Sequence, residues 1–515
     1  MLASLLVLVS PTGVPQVLDA PIVLKVDTAK VLCNISPYIY GSNENDWAKS
    51  GKYLTFGRQG GNRMTAYNWE NNASNAGGDW HNQNDDFLGG GNTPGEVPRK
   101  AVADALDNQK TFLVTVPLLG YVAADKFADG DVNKTPNYLE KRFRKSLPKK
   151  GAKFQYPPDL TDDSVYQDEF VWWLEKAFPV RSETSHIWYS LDNEPDIWSG
   201  THSRIHPQKG TYAEIVQKSV SMAKAIKAVA PKTLIFGPAS YGWAGYTHFQ
   251  DAPDANGRDF LETYLSEMQE ASKDAGKRLV DVLDLHWYPE ARGDNKRIVE
   301  PDSTPGIAKA RMQATRSLWD PTYVEDSWIT QSLGNKPINL IPLIMSKIAK
   351  SSPGTKLAFT EYQYGGQNHI SGAIAQADTL GIFGREGVYA AALWPYAGEA
   401  AFVHAGFDAF RNYDGNGAQF GDVALGATSS DPAHVSIYAS KFSHKNGKVV
   451  LVIVNQYGGA RSCQLSMASP GKQTRQYSVT QESPKIHIQH FADLKDTGFA
   501  LNLPAMSVNV LEIEE

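Results

Sequence analysis

Cysteine is scarce in this sequence, and a net positive charge and long apolar runs are lacking. Each shortage argues against a class of protein. Only Cys33 and Cys463 occur, so no cysteine cluster predicts a zinc site, and a disulfide between the two stays an open alternative. The net charge of −6 leaves no basic stripe for nucleic acid. After the opening residues, no stretch approaches the roughly 20 apolar residues that cross a membrane. We therefore expect neither nucleic acid nor a membrane as a partner.

The opening segment, Met1–Ser10, resembles the apolar core of a secretory signal. The basic residues that normally precede such a core are missing. We nevertheless expect a secreted, extracellular protein that acts as a monomer.

Aromatic side chains, in contrast, are abundant, with 12 Trp, 23 Tyr and 20 Phe among 515 residues. Sugars expose apolar C–H faces that stack on aromatic rings, so a long saccharide groove uses many of them. Large hydrophobic cores use aromatic residues too, and the count favours a saccharide groove without requiring one.

The chain is organised around residues 186–198, where an apolar run ends in Asp192–Pro195. β-Branched and aromatic residues followed by proline predict a buried strand with Glu194 at its C-terminal end. The pattern recurs at Lys356–Tyr364, where Glu361 ends a second strand. Parallel-strand barrels keep their catalytic residues at such strand ends. Two glutamates on different strands, each flanked by aromatics, predict the carboxylate pair of a glycosidase, with solvated strand ends as the alternative.

Eight short apolar segments alternate with helical patterns and predict a (β/α)8 barrel. The clearest helices span Ala213–Ala230 and Phe260–Ala275. This count places Glu194 on strand four and Glu361 on strand seven. The predicted strands are 37–43, 54–61, 111–118, 186–194, 233–238, 282–288, 356–364 and 391–396.

From residue 405 onward, short strands separated by turns replace this alternation and predict an antiparallel β-sandwich. The extended residues 19–33 precede the barrel, and we expect them to join the sandwich. The predicted domains are therefore N-terminal strands at 1–35, a catalytic barrel at 36–404 and a C-terminal β-sandwich at 405–515. The sandwich has no convergent carboxylates, so we expect it to stabilise the barrel rather than bind substrate.

Five longer motifs occur in the order typical of glycoside hydrolase family 44, which the sequence resembles from about residue 36 to residue 430. The resemblance implies a (β/α)8 barrel with a β-sandwich built from both chain ends. It also implies a retaining endo-β-1,4-glucanase that acts on cellulose derivatives and often on xyloglucan, with Glu194 as acid/base, Glu361 as nucleophile and no cofactor in catalysis. The motifs are Gly60–Asn72, Asp192–Pro195, Asp284–Gly293, Leu318–Tyr323 and Thr360–Tyr362.

Three polar side chains are predicted to assist the two glutamates. Asn193, beside the acid, is placed to bond the sugar 2-hydroxyl, with a backbone contact as its alternative. Arg58 on strand two is placed to hold Glu361 ionised, although a purely structural ion pair explains it equally well. Tyr288 shares one face of strand six with His286 and can donate to the nucleophile. We expect His286 itself to be a core residue.

Aromatic candidates for sugar-binding subsites are Trp394, at the end of strand eight, and Trp69, Trp319 and Trp328. Core packing is the alternative for the last three. By resemblance, Trp328 corresponds to a cleft tryptophan of the family, whereas Ser332 replaces a second family tryptophan.

Asp159, Asp162 and Asp163 precede a predicted helix at 165–177. Helix capping explains them, and we favour that interpretation. The alternative is an oxygen-rich calcium site, because the resemblance implies a structural calcium somewhere in the chain, though not at these positions in particular.

Two other functions stay open. Another retaining barrel glycosidase, such as an α-L-arabinofuranosidase, also pairs glutamates on strands four and seven. A polysaccharide-binding protein without catalysis is disfavoured because both glutamates are present. The sequence does not fix the preference among cellulose, xyloglucan, xylan and mannan.

Overall fold

The structure is a computed structural model, and it describes residues 21–44, 46–179, 186–467, 473–492 and 498–514. The proposed signal segment lies outside the described residues. Within the described part of the chain, no helix is both long and apolar enough to cross a membrane.

Eight parallel strands form a closed barrel, as the sequence predicts. The first is the shortest, because a 3-10 helix at Pro37–Ile39 replaces the beginning of the predicted strand, and Pro37 has no N–H to pair in a sheet. The barrel interior is filled by buried side chains such as Phe56, Trp188 and Phe236. In chain order the barrel strands are Gly41–Ser42, Phe56–Gln59, Thr111–Val116, Ile187–Leu191, Ile235–Ser240, Val282–Trp287, Lys356–Tyr362 and Ala390–Leu393.

Helices surround the barrel, and both clearly predicted ones are confirmed within one or two residues. Tyr212–Val229 begins where the Thr211 side chain accepts a hydrogen bond from the Glu214 N–H, and Pro231 follows its end. The remaining α-helices are Asn62–Thr65, Glu96–Asp107, Tyr138–Lys141, Gln167–Ala177, Trp198–Thr201, Trp243–His248, Phe260–Asp274, Pro305–Ala314, Trp328–Ser332, Leu340–Ser351, Ile370–Glu386 and Ala401–Arg411. Short strand pairs or triplets extend three of the loops: Ser74–Asn75 with Asn84–Asp85; Tyr121–Ala123, Phe143–Leu147 and Ser164–Tyr166; and Arg292–Gly293 with Lys296–Arg297.

A nine-stranded sheet forms the second domain and includes the first described strand of the chain, as predicted. Ile22–Asn34 lies inside this sheet, antiparallel to Val423–Ser429 and parallel to Arg461–Met467. The expectation of a purely antiparallel sandwich is therefore wrong at one strand pair, because the N-terminal strand joins two C-terminal strands. In spatial order the strands are Ser483–Ala492, Gln473–Thr480, Ser507–Glu514, Lys445–Asn455, Val435–Phe442, Val423–Ser429, Ile22–Asn34, Arg461–Met467 and Gly498–Leu503.

The apolar run in the strand Lys445–Asn455 shows how this sheet is buried on both faces. Val449, Leu451 and Ile453 share one core with Leu501, which belongs to a distant strand, so the sheet folds over on itself. The intervening Val450, Val452 and Val454 belong to the same hydrophobic cluster as the barrel helices. Alternate side chains along this strand therefore point to opposite faces, one toward the core of the sheet and the other toward the barrel helices.

The barrel and the sheet also meet through polar contacts. Asp378, buried in the helix Ile370–Glu386, accepts hydrogen bonds from Thr315, Ser436 and Tyr438. The sequence predicted that the second domain begins at residue 405. In the structure the helix Ala401–Arg411 spans this position, and the next strand of the sheet begins at Val423.

The two cysteines do not form the disulfide that the sequence left open. Both are free thiols. Cys33 lies against the carbonyl of Gly384 on the barrel, whereas Cys463 is buried inside the sheet core.

Candidate active site

Glu194 follows the fourth barrel strand in a turn held by hydrogen bonds. Asp192 and Glu194 both adopt left-handed backbone conformations, with φ of 67° and 47°, which is rare for residues with a side chain and clusters at functional sites. The buried Asp192 carboxylate accepts hydrogen bonds from the backbone N–H groups of Leu118, Leu119 and Asn193. These bonds fix the direction in which Glu194 leaves the strand.

Glu361, on the seventh strand, accepts two hydrogen bonds from the predicted partners. Arg58 donates to its Oε1 at 2.7 Å and Tyr288 donates to its Oε2 at 2.9 Å. Arg58 is fully buried, and a Cβ at Gly60 would overlap its guanidinium, so glycine is required there. Both donors stabilise a negative charge on Glu361.

His286 lies between the two glutamates. Its Nδ1 is 2.8 Å from Oε1 of Glu194 and 3.5 Å from Oε2 of Glu361. Burial lowers the pKa of His286 to about 3, so the ring is neutral and carries one proton. The Nε2 atom faces the Arg58 guanidinium at 3.5 Å, a group that can only donate. The proton therefore lies on Nδ1 and is donated to Glu194. The sequence had predicted that His286 is a core residue, whereas the structure places it in the site.

The two glutamates differ in charge although they lie close together. One carboxylate oxygen of Glu194, one of Glu361 and a ring nitrogen of His286 all lie within 4.8 Å of one another. Burial raises the pKa of Glu194 to about 8, against the lowering effect of Arg58, and Asp79 raises it further. Near neutral pH the site thus presents one protonated carboxyl group beside one carboxylate that is paired with arginine.

Asn193 connects the nucleophile side of the site to the barrel rim. Its Oδ1 accepts from Arg58 at 2.8 Å and from the Gly61 N–H at 3.2 Å. Its Nδ2 donates to Asn62, which in turn donates to Asp79. The carboxamide is therefore held rigidly beside the two glutamates, where the sequence placed it.

Asp284 is a buried acid below the site that the sequence did not single out. Its Oδ1 accepts from the Thr360 N–H, and its Oδ2 has no partner. Burial raises the pKa of Asp284 to about 7, and the neighbouring Glu361 adds to this effect. The alternation of Asp284, His286 and Tyr288 along strand six was the available signal, since all three share one face.

The three groups Glu194, His286 and Glu361 are also of the types that bind metal ions. However, the Arg58 guanidinium already pairs with Glu361, and the His286 proton points at Glu194. A cation here would have to displace both interactions. The arrangement fits an acid and a nucleophile better than a metal centre.

Comparisons with known proteins agree with this geometry. A sequence model described as glycoside hydrolase family 44 matches residues 73–291. A Paenibacillus polymyxa xyloglucanase of the same family, solved with xyloglucan, is 39% identical, with a TM-score of 0.90 over 96% of this chain and 99% of its own. The chain belongs to glycoside hydrolase family 44.

Further relatives differ in length. An endoglucanase from Clostridium thermocellum is 40% identical, with a TM-score of 0.90 over 96% of this chain and 100% of its own. Endoglucanase A of Paenibacillus lautus is 43% identical over 84% of this chain, and a β-mannanase/endoglucanase A of Caldicellulosiruptor saccharolyticus is 39% identical over 93%. The chain spans only 63% and 38% of the lengths of these last two proteins.

The predicted aromatic subsites of this family 44 chain are only partly brought to the site. Trp394 is half-buried at the end of strand eight, and its ring lies 2.8 Å from where a Cβ on Gly61 would be, next to Asn193. Trp328 is 43% exposed at the start of its helix. Trp69, in contrast, is fully buried and stacks on Phe170 and Trp173. The prediction that Trp69 binds substrate is therefore wrong, because its ring packs in the hydrophobic core with Phe170 and Trp173.

Trp319 does not reach the site either, since its ring lies under the Arg385 guanidinium, which also faces Tyr438 of the sheet. Of the aspartates before the helix Gln167–Ala177, Asp159 accepts from Thr161 and Asp162 from the Ser164 N–H, as in a local turn. Among the described residues, no three carboxylate or histidine groups other than the catalytic set converge within 4.8 Å. The expectation of a structural calcium thus stays a prediction without assigned ligands.

Proposed function

We propose that this chain is a retaining endo-β-1,4-glucanase that cleaves its substrate by double displacement. The observation that carries the proposal is the close approach of Glu194 and Glu361 oxygens, within 4.8 Å. Retaining glycosidases place their carboxyl groups about 5–5.5 Å apart, whereas inverting enzymes leave about 6.5–9.5 Å for a water molecule. The short separation supports direct attack by Glu361.

In the first step, the protonated Glu194 donates its proton to the glycosidic oxygen while Glu361 attacks the anomeric carbon. Because Oε1 of Glu194 accepts from His286, the proton is carried on Oε2, which is left for the substrate. The C–O bond to the leaving sugar breaks, and a glycosyl ester forms on Glu361. The leaving sugar departs as a neutral alcohol.

In the second step, the ionised Glu194 removes a proton from water, which attacks the anomeric carbon and releases Glu361 as a carboxylate. Arg58 and Tyr288 stabilise the returning charge with their hydrogen bonds to the two carboxylate oxygens. The product keeps the β-configuration, because two inversions restore it. The cycle requires no cofactor.

The substrate is proposed to be a β-1,4-glucan, either soluble cellulose or xyloglucan, with xylan and mannan as further candidates. Structural relatives include the xyloglucanase above and a bifunctional glucanase-xylanase, CelM2, at 28% identity. An α-L-arabinofuranosidase from Thermotoga maritima has a TM-score of 0.59 at 13% identity, which shows a common fold alone. We place the enzyme outside the cell, because polymeric glucans do not enter cells. We also propose that it acts as a monomer.

NMR of the first products tests the mechanism. Digestion of a β-linked glucan is expected to release β-configured sugar before mutarotation. Early α-configured sugar would contradict both the retaining mechanism and the assignment of Glu361 as nucleophile. Product profiles on purified cellulose, xyloglucan, xylan and mannan establish the preference, and hydrolysis of a nitrophenyl arabinoside without cleavage of soluble cellulose would favour the arabinofuranosidase alternative. Binding to glucan without new reducing ends would favour the non-catalytic alternative.

A further inference from the structure

The seventh barrel strand, Lys356–Tyr362, contains a β-bulge directly before Glu361. Consecutive residues of strand six pair with Phe359 and with Glu361, so Thr360 is an extra residue without a counterpart there. The register against strand eight shifts within the same stretch, between Phe359 and Tyr362. Bulges of this kind interrupt the regular ladder, and next to active sites they change the direction of a side chain.

The residues on either side of the bulge face outward. The rings of Phe359 and Tyr362 both contact Phe383 of the helix Ile370–Glu386, at 5.4 Å between ring centroids. Side chains along a regular strand alternate between its two faces. A regular strand would therefore place Glu361 on the same outer face as Phe359, against the helix and away from the barrel mouth.

The bulge turns Glu361 inward instead. Thr360 Oγ1 lies 3.4 Å from Nε2 of His286, and the Glu361 carboxylate lies 2.7 Å from the guanidinium of Arg58. Thr360 and Glu361 thus both point into the barrel, which two consecutive residues of a regular strand cannot do. The place of Glu361 in the site depends on the extra residue being held where it is.

Two side chains from other strands hold the backbone of this extra residue. The N–H of Thr360 donates to Oδ1 of Asp284, on strand six, at 3.3 Å. The carbonyl of Thr360 accepts from Nδ2 of Asn43, which follows strand one, at 2.9 Å. Asp284 is fully buried, and Asn43 is half-buried at the barrel rim. Both backbone polar groups of the bulged residue are therefore bound by side chains.

Asn43 also connects the bulge to the carboxylate that follows it. Its Oδ1 accepts from Nη1 of Arg58 at 3.1 Å, and the same Nη1 donates to Oε1 of Glu361 at 2.7 Å. A closed ring of contacts runs from the Thr360 carbonyl through the carboxamide and the guanidinium to the carboxylate, and back along the chain. The Asn43 N–H donates to the carbonyl of Leu393 at 2.9 Å. The ring is thereby fixed to strand eight as well.

The chemistry of the two side chains suits these partners. The N–H of the bulged residue needs an acceptor, which the carboxylate of Asp284 provides. The carbonyl and the guanidinium need a donor and an acceptor at one position, and the carboxamide of Asn43 offers both.

We propose that Asn43 and Asp284 are positioning residues of the reaction, which hold the bulge at Thr360 and thereby aim Glu361 at the anomeric carbon. Both act through Glu361 and not by contact with the sugar. The inference rests on the function proposed above, in which Glu361 is the nucleophile. Loss of either side chain is expected to slow the attack without weakening the binding of glucan, because a misaligned nucleophile raises the barrier of the chemical step alone.

The rate of glycosyl-enzyme formation measures the aim of Glu361. A dinitrophenyl β-cellobioside with fluorine at C2 has a leaving group that needs no protonation, and the fluorine slows hydrolysis of the ester. The ester therefore accumulates and is counted by mass spectrometry of the intact protein. Asn43→Ala and Asp284→Ala are expected to form it roughly 10–10²-fold more slowly than the wild type. The Kd of a sulfur-linked cello-oligosaccharide, which is not hydrolysed, is expected to stay within about twofold.

Conservative variants separate the hydrogen bonds from the volume of the side chains. Asp284→Asn keeps an acceptor for the Thr360 N–H, and its rate of ester formation is expected to stay within about threefold of the wild-type rate. Asn43→Asp keeps the acceptor for Arg58 but cannot donate to the Thr360 carbonyl, and its charge would compete with Glu361 for the guanidinium. It is expected to be as slow as Asn43→Ala.

Asn71→Ala is the matched control. The Asn71 carboxamide also joins two backbone groups of the rim loops, because it accepts from the Ala73 N–H and donates to the Ala124 carbonyl. These contacts do not involve the bulge, so the variant is expected to form the ester at the wild-type rate.

Wild-type rates of ester formation in both Asn43→Ala and Asp284→Ala would overturn the proposal. Losses of equal size in rate and in affinity would also overturn it, because they indicate general damage to the site. If Asp284→Ala does not fold, Asp284→Val, which fills a similar volume, replaces it with the same expectations. Failure of the proposed function is a separate result, because the ester would then not form on Glu361 even in the wild type.

Discussion

The Nδ1 of His286 lies 2.8 Å from Oε1 of Glu194, and its opposite nitrogen faces the Arg58 guanidinium. This contact makes His286 the residue that decides which oxygen of Glu194 carries the proton. A neutral imidazole that donates to one carboxyl oxygen leaves the other oxygen to protonate the substrate. The acid and the arginine that supports the nucleophile are therefore connected through a single ring.

The pH profile of kcat/KM tests the protonation of Glu194 and the effect of His286 on it. Since the pKa of Glu194 is about 8 and the acid form is required, activity on glucan is expected to fall as pH rises through that value. Replacing His286 by Leu removes a hydrogen bond that stabilises the ionised form of Glu194, so the alkaline limb is expected to move to higher pH. We expect a roughly tenfold loss in kcat alongside this shift.

His286→Asn is the matched control, because the Asn amide can place an N–H near the position of Nδ1. It is expected to keep the alkaline limb close to that of the wild type. A limb that stays in place in His286→Leu would show that His286 only fills space.

Substitution of the two glutamates separates their roles. Glu361→Gln is expected to abolish turnover on every substrate, because no nucleophile remains. Glu194→Gln is expected to lose about 10²–10⁴-fold on glucan, yet to keep activity on aryl glycosides, whose leaving group needs little protonation. Added azide is expected to rescue Glu194→Gln and to yield a β-glycosyl azide. An α-glycosyl azide, or rescue of Glu361→Gln instead, would reverse the assignment.

Glu70 predicts a pH dependence of stability that is independent of catalysis. Burial raises the pKa of this carboxyl group to about 8, and the neighbouring Asp162 and Glu169 raise it further against Lys150. Because the folded-state pKa lies above the ordinary value, the stabilising contribution is complete below about pH 4.5 and is lost as pH rises through 8. Glu70→Gln cannot ionise, so its Tm is expected to exceed the wild-type value by a few degrees at pH 9 and to match it at pH 5. Equal differences at both pH values would contradict this account.

Chelation tests for the structural calcium that the family resemblance implies. If such an ion is bound, added calcium is expected to raise the Tm of the intact enzyme and chelation to lower it. An unchanged Tm under both treatments would contradict this expectation.

Removal of the N-terminal strand tests the discontinuous second domain. Ile22–Asn34 lies between Val423–Ser429 and Arg461–Met467, and its Leu24 and Val26 are buried in the sheet core. A chain that begins at residue 34 is expected to melt at a much lower temperature than the full chain, because loss of this strand divides the sheet. A chain that begins at residue 21 retains the strand and serves as the control. If the two chains melt alike, the strand is dispensable.

The passive role of this domain is a further expectation of the sequence. Its inner residues serve the sheet core and its outer residues contact the barrel. Alanine substitution of its half-buried aromatic Tyr457 is expected to leave the affinity of the intact enzyme for soluble cellulose unchanged. A weaker affinity would assign the domain a part in binding.

The amino-acid sequence by itself determined the order of the eight barrel strands, because each is a short apolar run that ends in polar residues. It also determined that Glu194 and Glu361 stand at strand ends, since proline and polar residues stop those runs. The contacts of Arg58 and Tyr288 with Glu361 followed from the same logic of strand position and alternation. These are local patterns, and a local pattern can be read without knowing the neighbours.

Only the tertiary structure decided which side chains meet. Trp69 and Trp328 are both tryptophans that the sequence predicted to bind sugar, yet one is buried between Phe170 and Trp173 while the other is exposed at the start of its helix. His286 became part of the site because strands four, six and seven converge around its ring. The charge of a buried carboxyl group likewise depends on burial and on residues distant in sequence, as Glu194 shows with Arg58 and Asp79. The physical reason is that desolvation and Coulomb interactions depend on distance in space and not along the chain.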